Sequence, residues 1–460
     1  FTGPHIVLMQ GARIATVTNM GQANALLERY SKVGDHLDGA LRLHRRLAGT
    51  GQTPAQAALD RVLSQLDGYL GSGLDTDPFL RLKLPQSGET ADRWREKATE
   101  LVQTVIRPAV QTYRDGLVEH IAPVARPDDK CGLIWMEGGE ELYAHLIHKY
   151  TQLDKTPQEI HDIGLQWATE INAAEWVEIG GEAFGATTMD EVFGALRSAP
   201  EAHFSSEEEM LSHARAAVER AWGAVPDWFG ALPKTMCDVV PVPAEVAPAM
   251  PPAYYSQPPI DGSRDGQYFL NTYKPEQRER FEYESIHFHE AVPGHHFDRS
   301  LAAESPGIPA FRRYSLVYAY TEGWGLYSER LADEMGLYSS PSDRLGMISA
   351  DAWRAGRLVV DTGMHALGWD KQQAIDFLQK WTPIGALTIE QEVDRYIGMA
   401  GQALAYKMGQ LEIFRLRRHA EKTLGDGFDI KGFHDTLLTH GAMPLPLLGQ
   451  VVQEWIESRS

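Results

Sequence analysis

Residues 286–300 read Ile286-His287-Phe288-His289-Glu290-Ala291-Val292-Pro293-Gly294-His295-His296-Phe297-Asp298-Arg299-Ser300, and the reading of the chain turns on them. His289, His295 and His296 share eight residues with Glu290. Imidazole is the commonest protein ligand for zinc, and a glutamate beside a zinc-bound water is the usual base of metalloproteases. The obvious comparison is His-Glu-x-x-His on one helix face. Here Pro293 stands where the second histidine belongs.

The misfit has a physical reading. An unbroken helix would carry His296 round to the face of His289 but roughly 10 Å along the axis, too far for one ion with bonds of about 2.1 Å. Pro293 lacks an N–H and clashes with the carbonyl four residues earlier, and Gly294 reaches backbone angles closed to other residues. The helix through His289 is therefore expected to end or bulge at Pro293-Gly294. The chain can then bring His295 or His296 back beside His289. A two-residue insertion into the i+4 pattern favours His295. Zinc hydrolases of this kind take a third ligand from a later helix. Glu322, in Tyr318-Ala-Tyr-Thr-Glu322-Gly-Trp-Gly-Leu-Tyr-Ser-Glu329, is the candidate, because Gly323 and Gly325 let another segment come close. Glu329 shares its face two turns on and reads as a solvated or salt-bridged helix residue.

These motifs resemble a largely bacterial family, domain of unknown function 885. The resemblance rests on His289-Glu-Ala-Val-Pro-Gly-His-His, Asp261-Gly-Ser-Arg264 with Asn271-Thr272, and Glu322-Gly-Trp-Gly-Leu-Tyr. Arg357-Leu-Val-Val-Asp-Thr-Gly-Met-His365, Gly401-Gln-Ala-Leu-Ala-Tyr-Lys-Met-Gly409 and His440-Gly-Ala-Met-Pro-Leu extend it in order over residues 250–450. It implies a mainly α, zinc-dependent, peptidase-like protein, similar in architecture to helical metallocarboxypeptidases and gluzincin-type oligopeptidases, with one zinc per chain. Position within these motifs puts forward Tyr396, Tyr406 and His365 as donors to a developing oxyanion. It likewise puts forward Arg264, Arg395 or Lys407 to hold a substrate carboxylate.

Composition sets the frame. The 460 residues are 43% hydrophobic and 23% charged, ordinary for a soluble globular protein able to bury a large core. A formal net charge of −20 argues against a nucleic-acid or anionic-membrane binder. Two cysteines, Cys131 and Cys237, exclude a disulfide scaffold. No apolar run is long enough for a transmembrane helix, and no charged-then-apolar signal pattern opens the chain, so a cytoplasmic location is expected.

Along the chain, residues 1–231 read as a helical lobe and 232–460 as a catalytic lobe, together one bilobal body. Apolar spacing predicts helices over 21–47 and 88–122, the second kinked at Pro108. Gly132–Met136 reads as a strand or extended run. Thr156-Pro157-Gln158-Glu159 and Ser205-Ser206-Glu207-Glu208 are helix starts. Residues 232–275 are rich in proline and β-prone pairs and predict a small sheet near the cleft, with Asp261–Gly266 turning between two strands. Its edge could bind an extended peptide. Long helices are expected over Pro309–Met335 and Ser340–Leu367, the second with Arg354, Arg357, Asp361 and His365 as a polar face lining the cleft.

The expected activity is metallopeptidase cleavage of small peptides. His289, one of His295 and His296, and Glu322 bind the metal, and Glu290 acts as general base. Its rivals are a metal-dependent amidase or esterase on non-peptide bonds and a non-catalytic binding protein on a peptidase scaffold.

Overall fold

Local capping chemistry starts helices where the sequence predicts. The Thr156 hydroxyl accepts from the Glu159 N–H at 3.2 Å while the Glu159 carboxylate accepts from the Thr156 N–H at 2.8 Å, and Pro157 opens the helix. Ser206 caps Glu207–Ala224 through the Glu209 N–H, and the Glu209 carboxylate turns back onto Ser205. The computed structural model describes residues 3–199, 202–244, 247–259 and 261–459. These residues are mainly helical, with a three-stranded sheet.

The chain divides into two compact units, and the division is not at residue 231. The first comprises Phe1–Leu142, Gly363–Ile375 and Glu390–Ala400; the second comprises Tyr143–Thr362, Asp376–Ile389 and Gly401–Ser460. The change of composition near 232 marks the sheet and not a boundary. Cys237, Ala253, Tyr268 and Leu270 share one core with Ala214, Ala217, Val218 and Ala221 of the preceding helix.

In the first unit, the apolar spacing of the 21–47 stretch is Leu26, Tyr30, Val33, Leu37 and Leu41; the last four are buried and Leu26 is half-buried, but two helices carry them, Met20–Tyr30 and Val33–Ala48. The 88–122 stretch is Glu89–Leu101, a π turn at Val102–Ile106, and Arg107–His120. The π turn sits just ahead of Pro108, whose missing N–H breaks the regular ladder. Gly132–Met136 is not extended: Leu133–Trp135 forms a 3₁₀ turn. Gly132 packs so tightly on the Met364 carbonyl that a Cβ would collide with it.

In the second unit the sheet lies where expected: β1 Cys237–Pro241, β2 Ala253–Ser256 and β3 Gly266–Leu270, in the order β1-β3-β2. β1 runs parallel to β3 with Val239 opposite Tyr268, and β2 runs antiparallel with Tyr255 opposite Tyr268. The helix expected over Pro309–Met335 is broken into Ala310–Arg313 and Tyr318–Glu334. Arg299 takes the Ser315 carbonyl at 2.9 Å, an acceptor that a continued helix would use. Tyr318–Glu334 lies backbone to backbone on Leu404–Leu424, where a Cβ on Gly323 would come within 2.5 Å of Gly409. Phe288, Phe297 and Trp324 close this core at 0%, 0% and 1% exposure. Each such side chain contributes about 1.5–3 kcal/mol over its exposed state.

Candidate metal centre

The helix through His289 spans Tyr283–Glu290, and a new helix begins at His295 and runs to Glu304. The chain stops and reverses over Ala291–Gly294, as Pro293-Gly294 predicts. Gly294 passes so close to the helix end that a Cβ would strike the carbonyls of Phe288 and His289. The Trp324 indole donates to the carbonyls of Pro293 at 3.0 Å and Gly294 at 3.2 Å and fixes the turn on the neighbouring helix. The reversal sets the His289 and His295 rings face to edge, with centroids 4.7 Å apart at 83°.

Glu322 completes the group. Its Oε2 lies 3.6 Å from His289 Nε2 and 3.7 Å from His295 Nε2, and ligand atoms of all three residues lie within 4.8 Å of one another. Gly325 makes the approach possible, since a Cβ there would stand 2.7 Å from the His289 ring. Behind that ring, His289 Nδ1 meets Glu329 Oε1 at 2.7 Å, and Ser285 donates to the other Glu329 oxygen at 2.8 Å. An ionised carboxylate only accepts, so Nδ1 carries a proton and Nε2, facing Glu322, is the nitrogen left available to a metal.

Burial alone lowers both imidazoles. Glu322 and Glu329 outweigh it at His289, whose pKa is raised, and Asp298 and Glu322 outweigh it at His295, held well above the usual range. Burial would raise the Glu322 carboxyl, but the two imidazoles hold it well below the usual range. The pocket therefore favours positive charge. Two imidazole nitrogens and a carboxylate are a donor set that suits zinc among the first-row metals. Glu290, at the last position of its helix, is half-buried, and its carboxylate has no hydrogen-bond or ion-pair partner among the described residues.

His296 is not part of this group. One residue on from His295 it points elsewhere: Nε2 donates to the Thr235 carbonyl at 3.0 Å and Nδ1 meets the Tyr255 hydroxyl at 2.9 Å. It ties its helix to the sheet region, and burial pulls its pKa down to about 4.

The other sequence candidates are also committed elsewhere. His365 belongs to the first unit; its Nδ1 accepts from Leu133 N–H at 3.1 Å and its Nε2 donates to the Tyr396 carbonyl at 3.1 Å, at 0% exposure. Tyr396 and Arg395, in the same unit, both bond Glu392. Tyr406 lies in the second unit under the Arg357 guanidinium, 4.7 Å from its ring centre. Lys407 is fully buried on Asp351, 2.7 Å away, out of reach of a substrate. Arg264 braces the β2–β3 connection through the carbonyls of Gln257 at 2.9 Å and Asp265 at 2.8 Å. The expected cleft face on Pro341–Ala366 is instead largely interior. Asp361 there accepts from Tyr143 at 2.6 Å and from Gly401 N–H at 3.0 Å. Aromatic and apolar neighbours around a polar stripe signalled burial, not a cleft.

Of the two readings of Glu329 the ion-paired one holds, since it is 1% exposed and pairs with His289 at 2.7 Å; sequence reasoning missed that this pair backs the imidazole of the candidate site. The seven-residue spacing of Glu329 from Glu322 was the available signal.

Bacterial proteins of unknown function (DUF885) form the family that matches this chain, over residues 1–452. No curated protein matches. A protein of Colwellia psychrerythraea described as a lipoprotein superposes with TM-score 0.92 at 28% identity, over 99% of this chain and 80% of that one. A protein of Shewanella oneidensis, described as a lipoprotein of unknown function, gives 0.72 at 19% identity over 94% and 78% of the two chains.

Proposed function

The chain belongs to the DUF885 family, and on that premise we propose that it is a metal-dependent hydrolase, a metallopeptidase acting on small peptides with zinc held by His289, His295 and Glu322. The observation that carries this reading is the convergence of His289 Nε2 and His295 Nε2 on Glu322 Oε2, at 3.6 Å and 3.7 Å, directly beside Glu290. Zinc, when bound, supplies Lewis acidity that polarises a carbonyl and acidifies water.

The chain's own groups do the rest. Glu290 takes the proton of the attacking water and returns it to the leaving amine. Its carboxylate suits that task because it is tied to no other described residue. Glu329 keeps His289 in one tautomer. A donor for the developing oxyanion comes from Tyr318, four residues before Glu322 on the same helical face, half-buried against Tyr150. The fold is then a helical metallopeptidase fold of the gluzincin kind. The description of the Colwellia relative as a lipoprotein favours a cell-envelope location over the cytoplasm, which fractionation of the native host tests.

The deciding experiment measures zinc content of wild type and His289→Ala, then turnover of a peptide panel with Glu290→Gln as control. One zinc per chain, lost in H289A, with peptide cleavage lost in E290Q, supports the reading. Turnover of simple amides or esters alone assigns the site to a non-peptide hydrolase. Absence of zinc, before and after its addition, leaves a binding protein on this scaffold.

A further inference from the structure

The two imidazoles of the metal centre are not held alike. His289 is locked from behind by Glu329 at 2.7 Å. His295 presents its Nδ1 to Asp298, three residues on in the first turn of its own helix, at 3.8 Å, too long for a hydrogen bond. Asp298 is 2% exposed, and neither its oxygens nor His295 Nδ1 have a hydrogen-bond partner among the described residues. Buried carboxylates are almost always bonded, so this one needs a reason.

Its neighbours are spoken for. The Tyr320 hydroxyl donates to the Leu437 carbonyl at 2.8 Å, and the Tyr255 hydroxyl meets His296 at 2.9 Å. The Arg299 guanidinium donates to the Ser315 carbonyl at 2.9 Å. His295 Nδ1, itself without a hydrogen-bond partner among the described residues, lies 3.8 Å from Asp298 Oδ1. As a stabilising element of the scaffold Asp298 is poor, because burial removes its water and no bond replaces it.

Resting on the metal-centre reading above, we propose that Asp298 is the positioning residue of His295, the counterpart of Glu329 at His289. His289 is the fixed arm of the site and His295 the compliant arm. A shift of about 1 Å brings the His295–Asp298 pair to bonding distance. That bond fixes the proton on Nδ1 and directs Nε2 to the ion.

The test is zinc affinity by competition with a chromophoric chelator, with the metal-free Tm measured in parallel. Wild type, Asp298→Ala and Asp298→Asn are compared. We expect D298A to bind zinc about 10–100-fold more weakly, with D298N between it and wild type, since an amide oxygen still accepts. The metal-free Tm of both variants stays at or above that of wild type. Wild-type affinity in D298A overturns the assignment. So does a loss of affinity matched by a fall in metal-free Tm in both variants, which would make Asp298 part of the scaffold. A wild-type protein that takes up no zinc overturns the metal centre itself, a different result from either.

Discussion

The hydrogen bond between His289 Nδ1 and Glu329 Oε1, 2.7 Å long and almost wholly out of water, sets the direction in which the first imidazole of the site faces. Glu329→Ala leaves His289 free to flip and to protonate at either nitrogen. It should weaken zinc binding by about 10–100-fold, and Glu329→Gln, which keeps an acceptor but loses the charge, by less. Chelator competition measures this. Equal affinity in E329A and wild type would remove the orienting role.

What could be read in the letters was local. Pro293-Gly294 dictates a break, and the break brings His295 to His289; Gly325 beside Glu322 admits the ring. Thr156 and Ser206 cap helices through residues three further on, so their signal lies within one turn. The letters left Glu329 as solvated or salt-bridged, and only the packing of Tyr283–Glu290 against Tyr318–Glu334 selects the pair with His289. His365 and Lys407 lie in stretches that carry the family resemblance, yet they hold the scaffold through Leu133 and Asp351. At the break over residues 314–317 Arg299 reaches in to the Ser315 carbonyl, and the two-unit division depends on which distant segments pack.

Tyr318 is one helical turn before Glu322, and its hydroxyl has no hydrogen-bond partner among the described residues. On the best-cleaved peptide, Tyr318→Phe should lower kcat by about 10²–10³ while zinc content stays unchanged, the usual cost of one oxyanion donor. Full kcat in Y318F would send the search for that donor elsewhere.

Asp351 is the hub of a buried ionic cluster. Lys407 donates to its two oxygens at 2.7 and 2.8 Å, Arg330 at 2.7 Å and Gln410 at 3.0 Å. Burial pushes the Lys407 pKa down to about 8 against the pull of Asp351. Asp351→Asn strands the buried Lys407, while Arg330 keeps Glu175 at 2.7 and 2.8 Å, and should cost about 3–5 kcal/mol in denaturant unfolding. Lys407→Met leaves Asp351 paired with Arg330 and should cost clearly less. A K407M loss as large as that of D351N would contradict the hub assignment.

His434 gives the metal-free protein a built-in sensitivity to acid. Its Nε2 accepts from the Tyr327 hydroxyl at 2.9 Å and its Nδ1 donates to the Trp228 carbonyl at 2.9 Å, so the folded ring has no place for a second proton. Burial pushes its pKa down to about 3 from the ordinary 6.5. Below pH 6.5 the unfolded chain therefore takes up a proton that the folded chain refuses. Stability falls as pH drops from 6.5 toward 3, by about 1.4 kcal/mol per unit once the unfolded histidine is charged. His434→Gln should start less stable at pH 7, by about 1–3 kcal/mol for the disturbed bonds. It should lose stability more slowly on acidification, by one proton's worth of slope. Denaturant unfolding from pH 7 to 4.5 with chelator present measures both. Parallel stability curves for H434Q and wild type would show that this histidine is not the source.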